Sequence, residues 1–260
     1  MISMKSSEKM HHIQCQESDI GKYVLLPGDP GRVSEIAKGL NNSRLVASNR
    51  EYVTYTGTLE GVKVSVTSTG IGGPSAAIAM EELVKLGAHT FIRVGTCGGI
   101  DSSLEPGSLI IATGAIRKEG TTTEYIPLEF PAVGNFELLN TLNSAAHKLN
   151  YKSYLGIVES KDSYYGQHEP DLMPNAAILK QKWEAWKAGG ALASEMETAA
   201  LYIVSTIRRV RCASILLLIR NREKENRENT PPVTCDNNTH LLETAIEGMR
   251  EIILIDEKSQ

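Results

Sequence analysis

Short apolar runs alternate with segments of helical period along the whole chain. Runs typical of strands occupy residues 23–27, 52–59, 62–68, 90–94, 108–112, 154–159 and 212–219. Apolar positions with helical spacing predict helices at residues 31–39, 135–149, 197–207 and 239–253, and a further helix that begins at 72–74. Because strands and helices alternate in this way, the pattern predicts an α/β fold rather than segregated helical and strand domains.

The sequence gives no sign of division into several domains, because it contains neither an internal repeat nor a low-complexity linker. Its 260 residues do not exceed the size of one domain. We therefore expect a single domain over residues 1–260, with a polar N-terminal arm at about 1–16. Residues 221–238 are charged and rich in turn formers, which predicts a long loop that is either mobile or functional.

Composition disfavours several classes of partner. A net charge of −4 and a pI of about 5.9 give no general attraction to nucleic acids or anionic membranes, so an anion site would have to be built locally. No apolar run reaches membrane-spanning length, and the N-terminal arm lacks the apolar segment of a signal peptide. The four cysteines lie far apart without metal-ligand spacing, which is typical of a reduced protein. We expect a cytoplasmic protein.

Several predicted strands end in clusters of glycine or polar residues. In α/β sheets, ligands bind beyond the carboxyl ends of the strands, where the loops leave the sheet. The clusters are residues 28–32, 69–73, 93–99 and 221–222. A single glycine pair would mean little, but this set of clusters, which includes several arginines, indicates a ligand site at that edge of the sheet.

The first cluster has two interpretations. The hexapeptide Pro-Gly-Asp-Pro-Gly-Arg at 27–32 follows an apolar strand. Its glycine permits a backbone N–H to approach an anion closely, and the guanidinium of Arg32 suits a phosphate. The same residues are ordinary turn formers. The hexapeptide alone therefore does not decide between an anion site and a tight turn.

Arg93 differs from the other arginines near turns. Arg32 and Arg50 would by default be solvated surface charges, whereas Arg93 lies between apolar residues of a predicted strand. Burial of its charge requires a carboxylate or a bound anion as compensation. Thr96 adds a hydroxyl donor close by, as a phosphate site would need.

Two further segments each have a structural and a functional interpretation. Ser194 and Glu197 have the spacing of a capping box in front of an apolar helix, in which Glu197 would accept a bond from the Ser194 N–H. Alternatively, the Glu197 carboxylate binds two neighbouring sugar hydroxyls. Residues 161–168 combine two tyrosines with amine, amide and imidazole groups, which suits a nucleobase edge but is also common in polar loops.

Five segments, taken together, point to one family. In chain order they are residues 27–32 (PGDPGR), 48–51 (SNRE), 68–75 (STGIGGPS), 93–96 (RVGT) and 195–197 (EME). Their order and spacing resemble the nucleoside phosphorylase family, which includes bacterial uridine phosphorylases, and the similarity extends from about His12 to the C-terminal helix. The resemblance implies one α/β domain with a central mixed, barrel-like sheet, usually assembled as a hexamer built as a trimer of dimers.

The resemblance implies a phosphate site and no organic cofactor. Inorganic phosphate would be the co-substrate, bound by Gly28, Arg32, Arg93 and Thr96, with Arg50 entering from the neighbouring subunit. A phosphate held by several arginines is both nucleophile and counter-charge to the positive charge that develops on the sugar during phosphorolysis. Arg93 is therefore a predicted catalytic residue.

The resemblance also implies a ribose site and, in some members, a potassium site. Met196 and Glu197 match residues that bind ribose, Glu197 through the 2′ and 3′ hydroxyls, which makes it a second predicted catalytic residue. His12 matches a histidine that reaches the 5′ hydroxyl across a dimer interface. Positions that bind potassium between subunits match Glu51, Ile71 and Ser75.

The base would lie against residues of the polar segment 161–168 and the cluster at 221–222. Gln167 matches a glutamine that binds the uracil edge, and Arg222 matches an arginine placed over the base, which makes Arg222 a third predicted catalytic residue. Tyr164, Lys161 and His168 are further candidates for contact with the base.

Several positions bear on which base is cleaved. Asn221 occupies the place where purine-cleaving relatives tend to carry an aspartate that protonates N7, which favours a pyrimidine. Against this, many uridine phosphorylases carry an arginine where this chain has Glu169, and the proline that often precedes Gly166 is missing. The pattern is similar to a divergent subgroup of uridine phosphorylases. It implies conversion of uridine and phosphate to uracil and ribose 1-phosphate in pyrimidine salvage, with thymidine and deoxyuridine open as secondary substrates.

Other functions stay open. A purine nucleoside phosphorylase and a nucleosidase of the same fold, in which water replaces phosphate, are the nearest alternatives. A non-catalytic nucleoside-binding protein is the alternative from another class. The arginines at phosphate positions disfavour water as the nucleophile, and the retention of Glu197 beside them disfavours a protein without catalysis. A dinucleotide-dependent oxidoreductase is disfavoured because no GxGxxG follows the first strand.

Overall fold

The strands of the described residues, 8–259, form one mixed sheet in the computed structural model. They are Tyr23–Pro27 (β1), Asn41–Asn49 (β2), Tyr52–Leu59 (β3), Val62–Thr67 (β4), Thr90–Gly99 (β5), Leu109–Lys118 (β6), Ala132–Val133 (β7), Ser153–Lys161 (β8), Ala193–Glu195 (β9) and Arg211–Arg220 (β10). Strand β5 pairs with β9 and β10, β6 joins β10 to β8, and β8 pairs with β9. These five strands close into a ring, which confirms the predicted mixed, barrel-like sheet.

The remainder of the sheet extends from β5 in the order β1, β4, β3 and β2. Strand β1 is parallel to both β4 and β5, and β5 is parallel to β10, whereas β3 is antiparallel to β4 and to β2. Because β4, β1, β5 and β10 run in the same direction, their carboxyl ends meet at one edge of the sheet.

Helices cover both faces of the sheet. They are Pro30–Ala37 (α1), Gly73–Lys85 (α2), Phe136–Lys148 (α3), Tyr164–His168 (α4), Ala176–Ala188 (α5), Thr198–Arg208 (α6), Arg222–Glu228 (α7) and Thr239–Lys258 (α8). Helices α2 and α6 supply Met80 and Tyr202 to one apolar cluster. Helices α1, α3 and α8 supply Ile36, Leu142 and Met249 to the other. Both faces of the central strands are therefore buried, as is typical of parallel strands in α/β proteins.

Sequence patterning predicted most of these elements but not all. Strand β5 continues from the predicted end at 94 to Gly99, because its glycine-rich end still pairs with β10. Strand β2 was missed because exposed residues dominate it, and α5 was missed because no residue in it is buried and no apolar stripe results. The prediction of one continuous loop at 221–238 was wrong, since α7 lies within it.

The predicted polar arm packs on the domain over its described part. Met10, Ile13 and Cys15 are buried, and Glu82 on α2 accepts backbone N–H bonds from His12 at 3.0 Å and from Ile13 at 2.9 Å. The polar composition of this segment therefore conceals apolar residues that belong to the core. Residues 1–7 of the predicted arm lie outside the described residues.

Candidate active site

A cavity of about 1150 Å³ opens at the edge of the sheet where β1, β4, β5 and β10 end. Its walls contain residues from the segments 28–32, 70–71, 93–99, 161–168, 194–197 and 219–223, together with part of α5. The structure thus brings into one cavity the four strand-end clusters and both further segments that were singled out in the sequence.

The hexapeptide at 27–32 is both a turn and part of the cavity wall. Asp29 caps α1, because its Oδ1 accepts a bond from the Gly31 N–H at 2.8 Å and its carbonyl oxygen accepts one from the Arg32 N–H at 3.1 Å. Gly28 and Arg32 line the cavity. The two interpretations of this segment are therefore compatible, since the turn is what directs Arg32 toward the cavity.

Arg93, on β5, carries a buried guanidinium in the cavity wall, with 3% of the residue exposed. Its Nε and Nη2 each lie 3.0 Å from Oε2 of Glu195, and Nη2 lies 2.5 Å from Oε2 of Glu197. Burial acts to lower the pKa of Arg93, but Glu197 and Glu195 outweigh it, and the net shift is upward. The sequence left open whether a carboxylate or a bound anion compensates Arg93, and the structure supplies two carboxylates.

Two buried guanidinium donors in this wall have no hydrogen-bond partner among the described residues. They are Nη1 of Arg93 and Nε of Arg32. Burial lowers the pKa of Arg32, Asp29 opposes this, and the neighbouring charge of Arg93 lowers it further. A buried cationic N–H without an acceptor is costly. Two such groups at one cavity are an arrangement that a bound anion would satisfy.

Gly95 makes room for the Arg93 guanidinium. A Cβ at this position would lie 2.7 Å from Nη2 of Arg93 and 2.8 Å from Cδ2 of Leu216, closer than Cβ atoms approach other heavy atoms in proteins. Any side chain here would displace the guanidinium. Thr96, the next residue of β5, is half-buried and lines the same cavity.

The predicted capping box is wrong. Ser194 lies in β9, and α6 begins at Thr198 without a side-chain bond from Glu197. Glu195 caps the helix instead, because its carboxylate accepts bonds from the backbone N–H groups of Glu197 at 2.8 Å and Thr198 at 2.9 Å. An acidic residue beside a helix start is a sequence signal for such a cap, but Glu195 and Glu197 share it.

Glu197 is free of a capping role and lines the cavity beside Met196. Besides its contact with Arg93, its Oε1 lies 2.5 Å from the backbone nitrogen of Gly72, which donates to it. Gly72 has a φ of +91°, a conformation that favours glycine. Burial raises the pKa of Glu197, and Arg93 partly opposes this rise. The carboxylate is therefore fixed by a cation and a helix N-terminus at once.

The base-binding candidates lie around α4. The rings of Tyr164 and His168 are 4.2 Å apart, centroid to centroid. Arg222, at the start of α7, donates from Nη1 to the carbonyl oxygen of His168 at 3.2 Å. Burial, Arg222 and Lys161 lower the pKa of His168 to about 4, so its ring is neutral at neutral pH. Glu169 follows α4 and is exposed.

Lys161 is buried in the wall, with 3% of the residue exposed. Its Nζ lies 2.6 Å from Oγ of Ser194, which in turn lies 2.7 Å from Oε1 of Gln167. Burial lowers the pKa of Lys161, whereas Glu159 raises it. The ammonium is thus already bonded to the protein behind Gln167.

The side chain of Asn221 caps α7 and ties its start to the loop between β5 and β6. Its Oδ1 accepts a bond from the Lys224 N–H at 3.1 Å and caps α7, while its Nδ2 donates to the carbonyl oxygens of Asp101 at 2.8 Å and Leu104 at 2.9 Å. Both polar atoms of its side chain are therefore engaged by the backbone. That Asn221 favours a pyrimidine stays a prediction.

Two predicted site residues lie outside the cavity wall of their own chain. Arg50 is exposed in the turn between β2 and β3, with a φ of +54°. His12 is held by Glu82, whose Oε1 lies 2.7 Å from Nδ1 of the ring. A carboxylate at Nδ1 fixes the imidazole and leaves Nε2 as the ring nitrogen available to a ligand.

The three potassium candidates line the rim of the cavity. The hydroxyl of Ser75 lies 2.9 Å from Oε1 of Glu51, and Ile71 is 78% exposed. Within residues 8–259, no group of three or more His, Cys, Asp or Glu residues is placed to hold a metal ion. Among the helices of that same part of the chain, none combines the length and apolar character needed to cross a membrane.

The chain resembles known proteins over nearly its full length. Residues 22–249 match the family model described as the phosphorylase superfamily. A uridine phosphorylase of Treponema pallidum is 49% identical, over 96% of this chain and 97% of the relative. The uridine phosphorylase of Escherichia coli is 33% identical, over 95% of this chain and 100% of the relative. A guanosine phosphorylase of Halorubrum lacusprofundi is 34% identical, over 95% of this chain and 96% of the relative.

Proposed function

This chain belongs to the phosphorylase superfamily, and from that premise we propose that it is a uridine phosphorylase. This pentosyltransferase converts uridine and phosphate reversibly into uracil and ribose 1-phosphate. The observation that carries the proposal is the pair of unpartnered buried donors, Arg93 Nη1 and Arg32 Nε, next to the buried carboxylate of Glu197. Donors for an anion beside an acceptor for sugar hydroxyls are what nucleoside phosphorolysis needs. The relative at 49% identity carries the same name.

Phosphate is the co-substrate, and we assign its binding to Gly28, Arg32, Arg93 and Thr96, with Arg50 from a neighbouring subunit. The unpartnered guanidinium donors give phosphate oxygens charge-assisted hydrogen bonds. Phosphate placed in this way is oriented for attack and balances the positive charge on the sugar. Positioning and electrostatics therefore supply most of the catalysis.

The sugar lies between the phosphate and the base. During the reaction the bond from C1′ of ribose to N1 of uracil breaks, its electron pair goes to the base, and a phosphate oxygen bonds to C1′. Glu197 accepts hydrogen bonds from the 2′ and 3′ hydroxyls, and Met196 packs against the ribose. Because Glu197 also contacts Arg93 at 2.5 Å, the two substrates are held by directly connected groups.

Uracil is held by Gln167 at its edge and by Tyr164 and His168 as an aromatic wall, with Lys161 behind Gln167. Arg222 stabilises the negative charge that reaches the carbonyl oxygens of the leaving base. Donors to those oxygens bind more strongly as the bond breaks, since the charge accumulates only then. Release of uracil from uridine is a reaction that would serve pyrimidine salvage.

The residues outside the cavity support a homo-oligomer, and we assign a hexamer built as a trimer of dimers. Arg50 is exposed, and the ring of His12 is fixed by Glu82, so both are available to a neighbouring subunit. Large apolar side chains also lie on the surface, with Phe136 74% and Ile157 47% exposed. Exposed apolar surface of this kind is typical of subunit contacts.

We also assign a potassium site and a location in the cell. Glu51, Ile71 and Ser75 would bind potassium through the carboxylate, a carbonyl oxygen and a hydroxyl, which are the hard oxygen ligands that such a cation prefers. The four cysteines are all free thiols, three of them buried. Free thiols are typical of a reducing compartment, which supports a location in the cytoplasm.

Cleavage of purine nucleosides is the second candidate. A guanosine phosphorylase is 34% identical to this chain. A nucleosidase is disfavoured, since phosphate oxygens accept charge-assisted hydrogen bonds from Arg93 Nη1 and Arg32 Nε more strongly than a neutral water does. A non-catalytic binding protein would not need Glu197 to contact Arg93.

A substrate panel tests the proposal. Uridine, thymidine, deoxyuridine and inosine are incubated with the enzyme with and without phosphate, and free base is measured. We expect phosphate-dependent release of uracil from uridine as the fastest reaction. Efficient cleavage of inosine with poor cleavage of uridine would replace the proposal by a purine nucleoside phosphorylase, and equal rates without phosphate would replace it by a nucleosidase.

A further inference from the structure

A buried polar network lies behind Gln167 in the cavity wall. It consists of Glu159 and Lys161 on β8 and Ser194 on β9, which expose 0%, 3% and 2% of their surfaces. All of them meet at Oγ of Ser194. This oxygen lies 2.6 Å from Nζ of Lys161 and 2.7 Å from Oε1 of Gln167, and it is also hydrogen-bonded to Oε2 of Glu159.

The Ser194 hydroxyl has a single proton, and this limits which of its three neighbours can donate a hydrogen bond and which can accept one. A hydroxyl has one proton and two lone pairs for its three contacts. The ammonium of Lys161 can only donate, and the amide oxygen of Gln167 can only accept. Ser194 therefore accepts from Lys161 and donates to Gln167. Its remaining lone pair makes a hydrogen bond with Glu159 only if the Glu159 carboxyl carries a proton and donates it.

The surroundings of Glu159 agree with a protonated carboxyl. Its Oε1 has no hydrogen-bond partner among the described residues and lies 3.9 Å from Nζ of Lys118 on β6. Burial raises the pKa of Glu159, whereas Lys161, the bond with Ser194 and Lys118 lower it, and Glu195 on β9 raises it again. The net direction is upward, which favours the neutral acid.

We propose that a proton on Glu159, acting through Ser194 and Lys161, fixes the amide of Gln167 in the orientation that selects uracil over cytosine. The inference rests on the proposed function, in which Gln167 binds the edge of the base. Glu159, Ser194 and Lys161 are positioning residues, because they act on the base through Gln167. Their buried bonds hold the amide more firmly than a solvent-exposed contact could.

The selection follows from the donors and acceptors that the amide presents. With Oε1 turned to Ser194, Nε2 of Gln167 faces the cavity as a donor, and Oε1 keeps a second lone pair. Uracil offers N3–H beside a carbonyl oxygen and matches both. Cytosine offers an unprotonated N3 beside an amino group, so that acceptor meets acceptor and donor meets donor.

Loss of the proton would reverse this arrangement. An ionised Glu159 can only accept, so it takes the Ser194 proton, and Gln167 must then turn its Nε2 toward Ser194. The amide oxygen would face the base in the position that the donor held. Uracil would lose its match, and the KM for uridine would rise.

The Glu159→Gln variant is the matched test, because its amide N–H donates to Ser194 at every pH. We expect the KM of the wild-type enzyme for uridine to rise about threefold to tenfold as the pH is raised through the ionisation of Glu159. The KM of Glu159→Gln for uridine should stay flat, and the KM for phosphate should follow the same pH profile in both proteins.

Ser194 gives an independent test of the same link. Ser194→Ala should raise the KM for uridine at every pH and lower the ratio of kcat/KM for uridine to that for cytidine about threefold to tenfold. Ser194→Thr keeps the hydroxyl and should restore both values. An unchanged ratio in Ser194→Ala, or identical pH profiles of the KM for uridine in the wild type and Glu159→Gln, would overturn the proposal.

A spectroscopic readout needs no turnover. The infrared difference spectrum of the wild type minus Glu159→Gln at neutral pH should show the C=O stretch of a protonated carboxyl. The stretches of an ionised carboxylate in its place would overturn the proposal. If uridine were not cleaved at all, the proposed function would fail, whereas the infrared result would still report the state of Glu159.

Discussion

The cavity joins two regions that are built differently. The phosphate and ribose region lies on β5, β9 and the start of α6, and its charged residues Arg93, Glu195 and Glu197 are 3%, 3% and 5% exposed. The base region lies mainly on the short helices α4 and α7, where Tyr164 is 50% exposed. The buried groups assigned to phosphate and ribose are thus fixed at the ends of strands, where electrostatic interactions are strong. Contacts that choose the base lie nearer the surface, where sequence changes are better tolerated.

Removal of Arg93 should impair the use of phosphate more than any other single change. Arg93→Ala deletes a donor to phosphate and leaves Glu195 and Glu197 buried without their cation. We expect kcat/KM for phosphate to fall about a thousandfold, as for the loss of a charged group that acts in the transition state. Steady-state kinetics with phosphate as the varied substrate measure this. A near-normal rate at low phosphate would contradict the assigned site.

Substitutions of Glu197 and Glu195, in the same region, should have different effects: the first mainly on activity, the second mainly on stability. Glu197→Gln loses the charge that faces the ribose, and we expect kcat/KM for uridine to fall about a hundredfold. Its melting temperature should fall less than that of Glu195→Gln, because the Glu197 side chain shares the ion pair with Arg93 but does not cap α6. Glu195→Gln weakens the cap of α6 and the ion pair with Arg93, and should lower the free energy of unfolding by about 2 kcal/mol.

Kinetics and calorimetry on both variants check this separation. A large fall in melting temperature for Glu197→Gln with unchanged kinetics would show that its role is structural. Unchanged stability of Glu195→Gln would show that the helix cap contributes little.

Much of the phosphate and ribose region could be inferred from the sequence. Arg93 between apolar residues already required a carboxylate or a bound anion to compensate its charge. Which of Glu195 and Glu197 would cap the helix could not be inferred, because the answer depends on where β9 ends. That end is set by the pairing of Ser194 with Gly98, residues far apart in the chain.

The base region was harder to predict for a related reason. The network around Ser194 joins residues 159, 161, 167 and 194, which β8, β9 and α4 bring together. No local spacing encodes such a contact. Helix α5, which also lines the cavity, has no buried residue and so leaves no apolar periodicity in the sequence. Lys161 was predicted only as a candidate for contact with the base, and its hydrogen bond to Ser194 became visible only in the fold.

Changes in the base region should affect uridine alone. Tyr164→Ala and Arg222→Ala each remove one contact from the surface side of the cavity. We expect Tyr164→Ala to raise the KM for uridine about threefold to tenfold, the effect of a single lost contact. Arg222→Ala should lower kcat as well, because Arg222 stabilises charge that appears on the base only as the bond breaks. The KM for phosphate should stay unchanged in both variants. Kinetics with each substrate varied in turn measure both values. An equal rise in both constants would contradict the division into two regions.

The smallest predicted effect is a pH dependence of stability from His168. Its pKa is about 4 in the folded protein and 6.5 without perturbation. Between these values the unfolded state binds more protons, so the free energy of unfolding falls as the pH falls. After allowance for solvent screening of this half-buried ring, we expect a loss of about 1 kcal/mol.

Denaturant titrations across this pH range, with His168→Asn as the control, measure the loss. The variant should show a shallower decline in stability. An identical decline in both proteins would assign it to other groups.

The identity of the nucleophile is the most direct test of the account. Purified protein is incubated with uridine in the presence and absence of phosphate, and both the uracil and the sugar product are identified. We predict that uracil release requires phosphate and that the sugar appears as ribose 1-phosphate. Uracil release at the same rate without phosphate, with free ribose as the product, would contradict the assignment of Arg32 and Arg93 to a phosphate site.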